Sequence, residues 1–263
     1  MISIVMPVRN ASHTLEPSLI SIQRQSFLDW QLYAVDDAST DDTADVLATY
    51  ARLDSRIHVL RNRSRLHVAA SLNRGIQKCR STLIARMDGD DIALSDRLQT
   101  QYDFMCANID IHVVGTAVQL MSGDGGSIGY QYRRESHEEI AKYIYREAAF
   151  IHPTVMFRRS FIDALGGYNP ACTEAEDSDL WLRGYRRFKY HNLQTVHLQY
   201  RVPQRVRLDF CYYATIVLLQ AARRDHCLMR HGGTALRPLL VGCIGKVCGF
   251  IPGRVKQPSR QSS

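Results

Sequence analysis

A fourfold alternation in the first hundred residues constrains this fold more than any other feature. The apolar runs ISIVM (2–6), QLYAVDD (31–37), RIHVLRN (56–62) and TLIARM (82–87) are each followed by a stretch with helical spacing, over 13–25, 39–53, 67–79 and 95–107. Runs this short read as buried strands. Their alternation with amphipathic helices points to βα units joined into a mainly parallel, Rossmann-like sheet with helices on its faces, an α/β class. In such sheets ligands bind beyond the carboxyl ends of the strands. Three of those ends, PVRN, DDAST and MDGDD, gather polar and acidic residues.

From residue 109 the regularity loosens. IHVVGTAVQLM (111–121) reads as a strand, SGDGGSIG (122–129) as a loop without core-forming residues, 136–147 as a helix and HPTVMF (152–157) as a strand. EDSDLWLRGYRRF (176–188) starts with acids and ends with bases, the polarity a helix dipole favours. The expected organisation is one unit over 1–205, divided into 1–107 and 108–205, followed by a helical basic tail over 206–263.

Charge and cysteine usage narrow the function classes. The seven cysteines are odd in number and form no CxxC pair, which argues against a disulfide framework or a zinc ribbon and for a reducing, cytoplasmic compartment. The N-terminal apolar run is too short for a secretory signal. The formal charge of +7 is uneven: residues 201–263 hold eleven Lys and Arg against two acids, a net of +9, so the first 200 residues carry −2. A nucleic-acid partner is therefore disfavoured, because the acidic strand ends would repel phosphate. Residues 208–232 read as one long helix, apolar over much of its surface. Residues 238–252 are apolar but short of the roughly 20 needed to span a bilayer. A basic segment with an apolar stripe suits an anionic membrane interface; packing back onto the body is the alternative.

Three motifs carry chemistry. In STLIARMDGDD (81–91) a buried strand runs into Asp88, Asp90 and Asp91. Carboxylates that close raise each other's pKa unless positive charge or hydrogen-bond donors lie among them, so something positive is expected there. Hard oxygen ligands select Mg²⁺ or Mn²⁺ completed by water and substrate phosphates; an acidic turn is the alternative. In VDDASTDDT (35–43), Asp36 and Asp37 end a strand and suit either a nucleoside contact or a helix cap, while Asp41 and Asp42 suit caps. In EAEDSDLWLR (174–183), Glu176 and Asp177 precede an apolar helical face bearing Trp181. A carboxylate there can serve as a general base or stabilise the helix N-terminus.

Taken in order, ISIVMPVRN, VDDASTDDT, LNRGI, IARMDGDDI, IHPTVMFRR, GGYN and AEDSDLWLR resemble the family 2 glycosyltransferases of the GT-A fold, from residue 2 to about 201. The resemblance implies an N-terminal half that binds a nucleotide diphosphate sugar, with a UDP-sugar the default, and a C-terminal half that receives a glycan or lipid-linked acceptor in cell-surface polysaccharide synthesis. It implies that Pro7, Arg9 and Asn10 line the nucleotide pocket, Asp37 contacts the base, Asp88 lies by ribose and metal, and Asp90 coordinates Mn²⁺ or Mg²⁺. Asp177 would be the base of an inverting, single-sugar transfer, with Glu176 the lesser candidate; His152 and Trp181 would lie on the acceptor side, although a lone histidine before proline also suits a structural role. The chain departs from the pattern at YRVPQR, where Pro203 stands in place of a common histidine. His197, Arg201 or Arg205 would have to substitute. Two rival readings are a sugar nucleotidyltransferase, which should carry a Gly-rich loop where this chain has PVRNASH, and a degenerate carbohydrate-binding protein, against which Asp90 and Asp177 count. The implied location is cytoplasmic, on the inner face of the membrane.

Overall fold

The computed structural model describes residues 1–202, 208–225 and 255–256. The first half comprises β1 (Ile2–Val8), α1 (Ser12–Gln23), β2 (Trp30–Asp36), α2 (Thr43–Leu53), β3 (Ile57–Arg61), α3 (His67–Lys78), β4 (Leu83–Arg86), a short β5 (Ile92–Ala93) and α4 (Arg97–Ala107). β1 lies between β2 and β4, β3 lies outside β2, and all three pairings are parallel. All seven residues of β1 are buried, as a strand covered on both faces requires.

The second half extends the same sheet in a mixed sense. It comprises β6 (Ile111–Met121), β7 (Ser127–Gln131), α5 (His137–Tyr143), a 3₁₀ turn at His152–Thr154, β8 (Met156–Arg158), α6 (Arg159–Ala164), α7 (Glu176–Gly184), β9 (Lys189–Arg201), α8 (Leu208–Arg224) and β10 (Val255–Lys256). The order is β10-β7-β6-β8-β4-β1-β2-β3, with β9 paired to β6 and to β5. β8 runs antiparallel to both β4 and β6, whereas β9 runs parallel to β6. One face of the sheet packs against α1, α2 and α4 through Leu15, Leu19, Leu47 and Leu98. The other packs against α3 and α5–α8 through Leu72, Ile140, Phe161, Leu180 and Val217.

Several expectations are corrected. The second helix starts at Thr43, not 39, because Asp41 takes the Ser12 N–H and the Thr43 N–H and hydroxyl and so closes a turn before it. Residues 127–129 belong to β7, not to a loop. HPTVMF divides into a 3₁₀ turn and a strand of three residues. The helix expected over 136–147 ends at Tyr143, and that over 176–188 ends at Gly184. β9, α6 and β5 were not anticipated; β9 is largely half-buried and polar, so no clean alternation marks it.

The described part of the tail packs on the body. Val217, Ala221 and Ala222 of α8 join the core that holds Leu180, Trp181 and Leu182 of α7. Asp225 accepts from the hydroxyls of Tyr145 and Tyr185, and Arg224 donates to the Leu182 carbonyl. Over residues 217–222 the apolar face of α8 therefore faces the protein. Residues 238–252, Pro203 and Arg205 lie outside the described residues. No helix among the described residues is long and apolar enough to cross a membrane.

One contact straps the halves together. Asn73 of α3 donates to the Tyr168 carbonyl at 2.7 Å and accepts from its N–H at 2.8 Å. Gly167 precedes it with φ +84°, and a Cβ there would lie 2.6 Å from Asn73 Oδ1. Only glycine allows both that conformation and that approach.

Candidate active site

Among the described residues, four non-glycine residues have positive φ: Asn10, Ala38, His67 and Ala175. They follow β1 and β2, open α3 and precede α7, so backbone strain of this kind concentrates where the expected site residues lie. Pro7 is buried within β1, while Arg9 and Asn10 are exposed beyond it. Arg9 Nη1 donates to the Asp37 carbonyl at 3.0 Å, and Asn10 Oδ1 accepts from the Thr40 N–H at 2.9 Å. The Asp37 carboxylate is buried and occupied, accepting from Asn62 Nδ2 and from the N–H groups of Leu66 and His67 at 2.7, 2.7 and 2.9 Å. It fixes the loop that enters α3. Beside it Ala38, Ser39, Arg61, Asn62 and Arg63 line a depression of about 460 Å³, within the range of small-molecule sites.

At the end of β4, oxygens of Asp88, Asp90 and Asp91 lie within 4.8 Å of one another. Gly89 permits the turn, since a Cβ there would meet Val8 Cγ1 at 2.6 Å. The positive charge expected from the sequence is partly built in. Arg86, 5% exposed, donates from Nη1 to Asp88 Oδ2 at 2.6 Å. Burial works against its charge, but Asp88, Tyr168 and Glu176 outweigh that and raise its pKa. Arg201 donates its N–H to Asp91 Oδ1 at 2.9 Å and its Nε to the Asp90 carbonyl at 3.2 Å. Of the candidates to replace the missing histidine, Arg201 thus sits on the acidic turn. His197 does not: its ring nitrogens are engaged by Asp96 and Thr195.

The acids remain under-compensated. Burial first, then Asp88, pushes the Asp90 carboxyl up to about 6. Burial, Asp88 and Asp90 raise Asp91 well above the usual range. Asp91 Oδ2 is buried without a partner. Clustered hard oxygens with an unsatisfied lone pair fit a divalent ion of the Mg²⁺ or Mn²⁺ type.

The Glu176–Asp177 pair opens α7. Glu176 is 8% exposed, and its Oε1 lies 3.4 Å from His152 Nδ1. His152 Nε2 is 2.9 Å from the Tyr168 hydroxyl. Burial raises the Tyr168 phenol and pushes His152 down to about 3, with Arg86 adding to the second effect. The Nε2 contact with Tyr168 leaves Nδ1 facing Glu176. Glu176 is turned into the protein. Asp177 is half-buried, accepts from the Ser178 N–H at 2.7 Å, and has its pKa raised chiefly by burial.

Trp181 departs from expectation. At 1% exposure it packs among Phe150, Phe161, Tyr190 and His152. It is sealed in the core, because it lies on the apolar face that α7 turns inward. Sequence reading passed over Arg86, Tyr168 and Asn73. Arg86 alone left a signal, a charged residue at the end of a buried run.

Known proteins share this pattern. The family model described as Glycosyl transferase family 2 matches residues 3–166. The chain is 33% identical over 231 residues to the putative glycosyltransferase EpsE of Bacillus subtilis, covering 85% of this chain and 82% of that one. It is 32% identical over 210 residues to the O-antigen biosynthesis glycosyltransferase WbnJ of Escherichia coli, covering 77% and 80%. The crystal structure of S. aureus TarS 1–349 in complex with UDP-GlcNAc superposes with a TM-score of 0.69 at 16% identity, covering 95% of this chain and 74% of that one. That likeness matches the sheet and helix arrangement described above. With the family model spanning residues 3–166 and these relatives at 32–33% identity over most of both chains, this chain belongs to glycosyl transferase family 2.

Proposed function

We propose that the protein transfers one sugar, with inversion, from a nucleotide diphosphate sugar to a hydroxyl of a glycan or lipid-linked acceptor in cell-surface polysaccharide synthesis. The observation that carries this reading is Arg86. It is hydrogen-bonded to Asp88 and lies in the field of Glu176 and Asp177, so one buried cation links the acidic turn to the Glu-Asp helix.

In this reading Pro7, Arg9 and Asn10 border the nucleotide, and Asp37 keeps the base pocket in shape through the α3 entry loop. Asp88 and Asp90 hold Mn²⁺ or Mg²⁺, which supplies Lewis-acid stabilisation of the diphosphate. Asp177 takes the proton from the acceptor hydroxyl. The new bond from that oxygen to the anomeric carbon displaces the diphosphate from the opposite face. A burial-raised pKa makes Asp177 a stronger base than a solvated carboxylate. His152 and Glu176 shape the acceptor side from beneath. A UDP-sugar is the preferred donor, supported by the UDP-GlcNAc bound to TarS.

The test is a thermal-shift panel of UDP-, dTDP- and GDP-sugars with and without Mn²⁺. A ligand selective for the native state adds about 2.7 kcal/mol at a hundredfold excess over its dissociation constant. A metal-dependent shift with UDP-sugars supports the reading; folded protein that responds to none of them refutes it. Residues 226–263 hold six bases and no acids, which supports contact with an anionic inner membrane surface. Removing residues 233–263 is expected to lower sedimentation with anionic liposomes and leave the body folded. Unchanged sedimentation rules that contact out.

A further inference from the structure

Tyr168 is fixed from two sides through its own loop. Asn73 of α3 holds its N–H and its carbonyl at 2.8 and 2.7 Å. Arg183 of α7 donates from Nη1 to the Leu165 carbonyl at 2.6 Å and from Nη2 to the Gly167 carbonyl at 2.8 Å, while its Nε pairs with Asp179 at 2.7 Å. The loop that ends in Tyr168 is thereby tied both to the first half of the chain and to the helix that Glu176 and Asp177 open.

The side chain extends that scaffold. Its ring lies in the core against His152, with ring centroids 5.6 Å apart. Among the described residues its hydroxyl has one hydrogen-bond partner, His152 Nε2 at 2.9 Å. The histidine is held in turn by the 3₁₀ turn it opens, where the Thr154 N–H and hydroxyl donate to the Ile151 carbonyl at 2.9 and 2.7 Å. Its other nitrogen, Nδ1, lies 3.4 Å from Glu176 Oε1. Glu176 follows Ala175, whose φ of +58° is unfavourable for a residue with a side chain, so α7 starts from a backbone that its surroundings must hold. Contacts thus run unbroken from α3 to the residue beside Asp177.

A reacting group must be kept within about 0.5 Å of its productive position by neighbours that are themselves locked in place. We propose that Tyr168 is a positioning residue for sugar transfer: through His152 and Glu176 its hydroxyl sets the start of α7, and with it the Asp177 carboxylate, relative to the half of the chain that carries Asn73. The inference rests on the reading of Asp177 as the base.

Tyr168→Phe keeps the ring and removes only the hydroxyl. UDP release from UDP-glucose, UDP-galactose and UDP-N-acetylglucosamine is followed with Mn²⁺, with water and methyl N-acetylglucosaminide as acceptors, in wild type, Tyr168→Phe, Glu176→Ala, their double variant and Asp177→Asn. Tyr168→Phe is expected to lower kcat at least about tenfold at unchanged donor KM, since a misplacement of about 1 Å costs up to roughly a hundredfold. The double variant is expected to be no slower than the slower single variant, because groups that act along one chain of contacts are not additive. Wild-type kcat in Tyr168→Phe overturns the inference, and so does a double variant whose loss is the product of the two single losses. A fall in kcat that comes with a raised KM and a lowered unfolding midpoint marks a structural role and overturns it too. If Tyr168→Phe does not fold, His152→Gln, which breaks the same chain one link further on, takes its place. Inactive Asp177→Asn beside normal Tyr168→Phe sinks this inference alone; wild-type turnover in Asp177→Asn, or no UDP release by wild type, sinks the transfer reading with it.

Discussion

The rim of the N-terminal half is held by contacts between neighbours in the fold's own order. Asp37 fixes the entry to α3 through Asn62, Leu66 and His67, and Asn10 meets Thr40 across two adjacent strands. The C-terminal half assembles its site from segments far apart in the chain. Arg201 reaches the acidic turn from 110 residues away, and Tyr168 meets Asn73 across 95 residues. One half is a repeated local unit with ligand groups on its loops. The other is a set of long-range contacts whose correct closure places a single carboxylate. Binding and chemistry should therefore be separable by mutation.

The largest separation is expected from Asp177→Asn. It should leave UDP affinity unchanged and lower transfer on the order of 10³-fold, the scale of a lost general base. Near-normal turnover, followed by release of labelled sugar, moves the base elsewhere and breaks the division. The converse variant, Asp90→Ala, should remove the metal-dependent part of nucleotide affinity; wild-type UDP affinity in Mn²⁺ refutes its role.

Cutting the strap tests whether the halves are one cooperative unit. Asn73→Ala leaves the Tyr168 N–H and carbonyl without their partners and should cost about 2 kcal/mol in urea unfolding. A biphasic transition would show that the halves unfold separately. The last test is a pH slope. The folded pKa of His152, about 3, lies below the unfolded value, so the unfolded chain binds the extra proton in between. Stability is fully present above about pH 6.5 and is lost as pH falls towards 3, by about 1.4 kcal/mol per pH unit. His152→Gln should flatten that slope, and identical slopes in both proteins would assign it to other groups.

The same contrast explains what the sequence disclosed. The four βα units were legible because each buried run and each amphipathic stretch declares itself within a few residues, and all four strands lie where the alternation puts them. Asp37, Asp88, Asp90, Glu176 and Asp177 were legible as acidic residues at or just beyond element ends. β9 was not, since exposed Gln194 and Thr195 and half-buried His191 and Gln199 break any alternation and gain their strand conformation from pairing with β6 and β5. Trp181 was misplaced because helical spacing shows that it is on an apolar face but not what covers that face. The Tyr168–His152 link, made between a loop and a 3₁₀ turn, has no local signature at all.

Arg86 also bears on when the metal can arrive. In small metal-organised domains the apo chain stays unfolded, because its ligands repel one another until the ion binds. Here the polypeptide carries its own counter-ion, a guanidinium sealed beneath the carboxylates and delivered by the strand that ends in them. If the acidic turn holds a divalent ion, folding and metal loading are uncoupled: a chelator is then expected to lower nucleotide affinity while the protein stays folded.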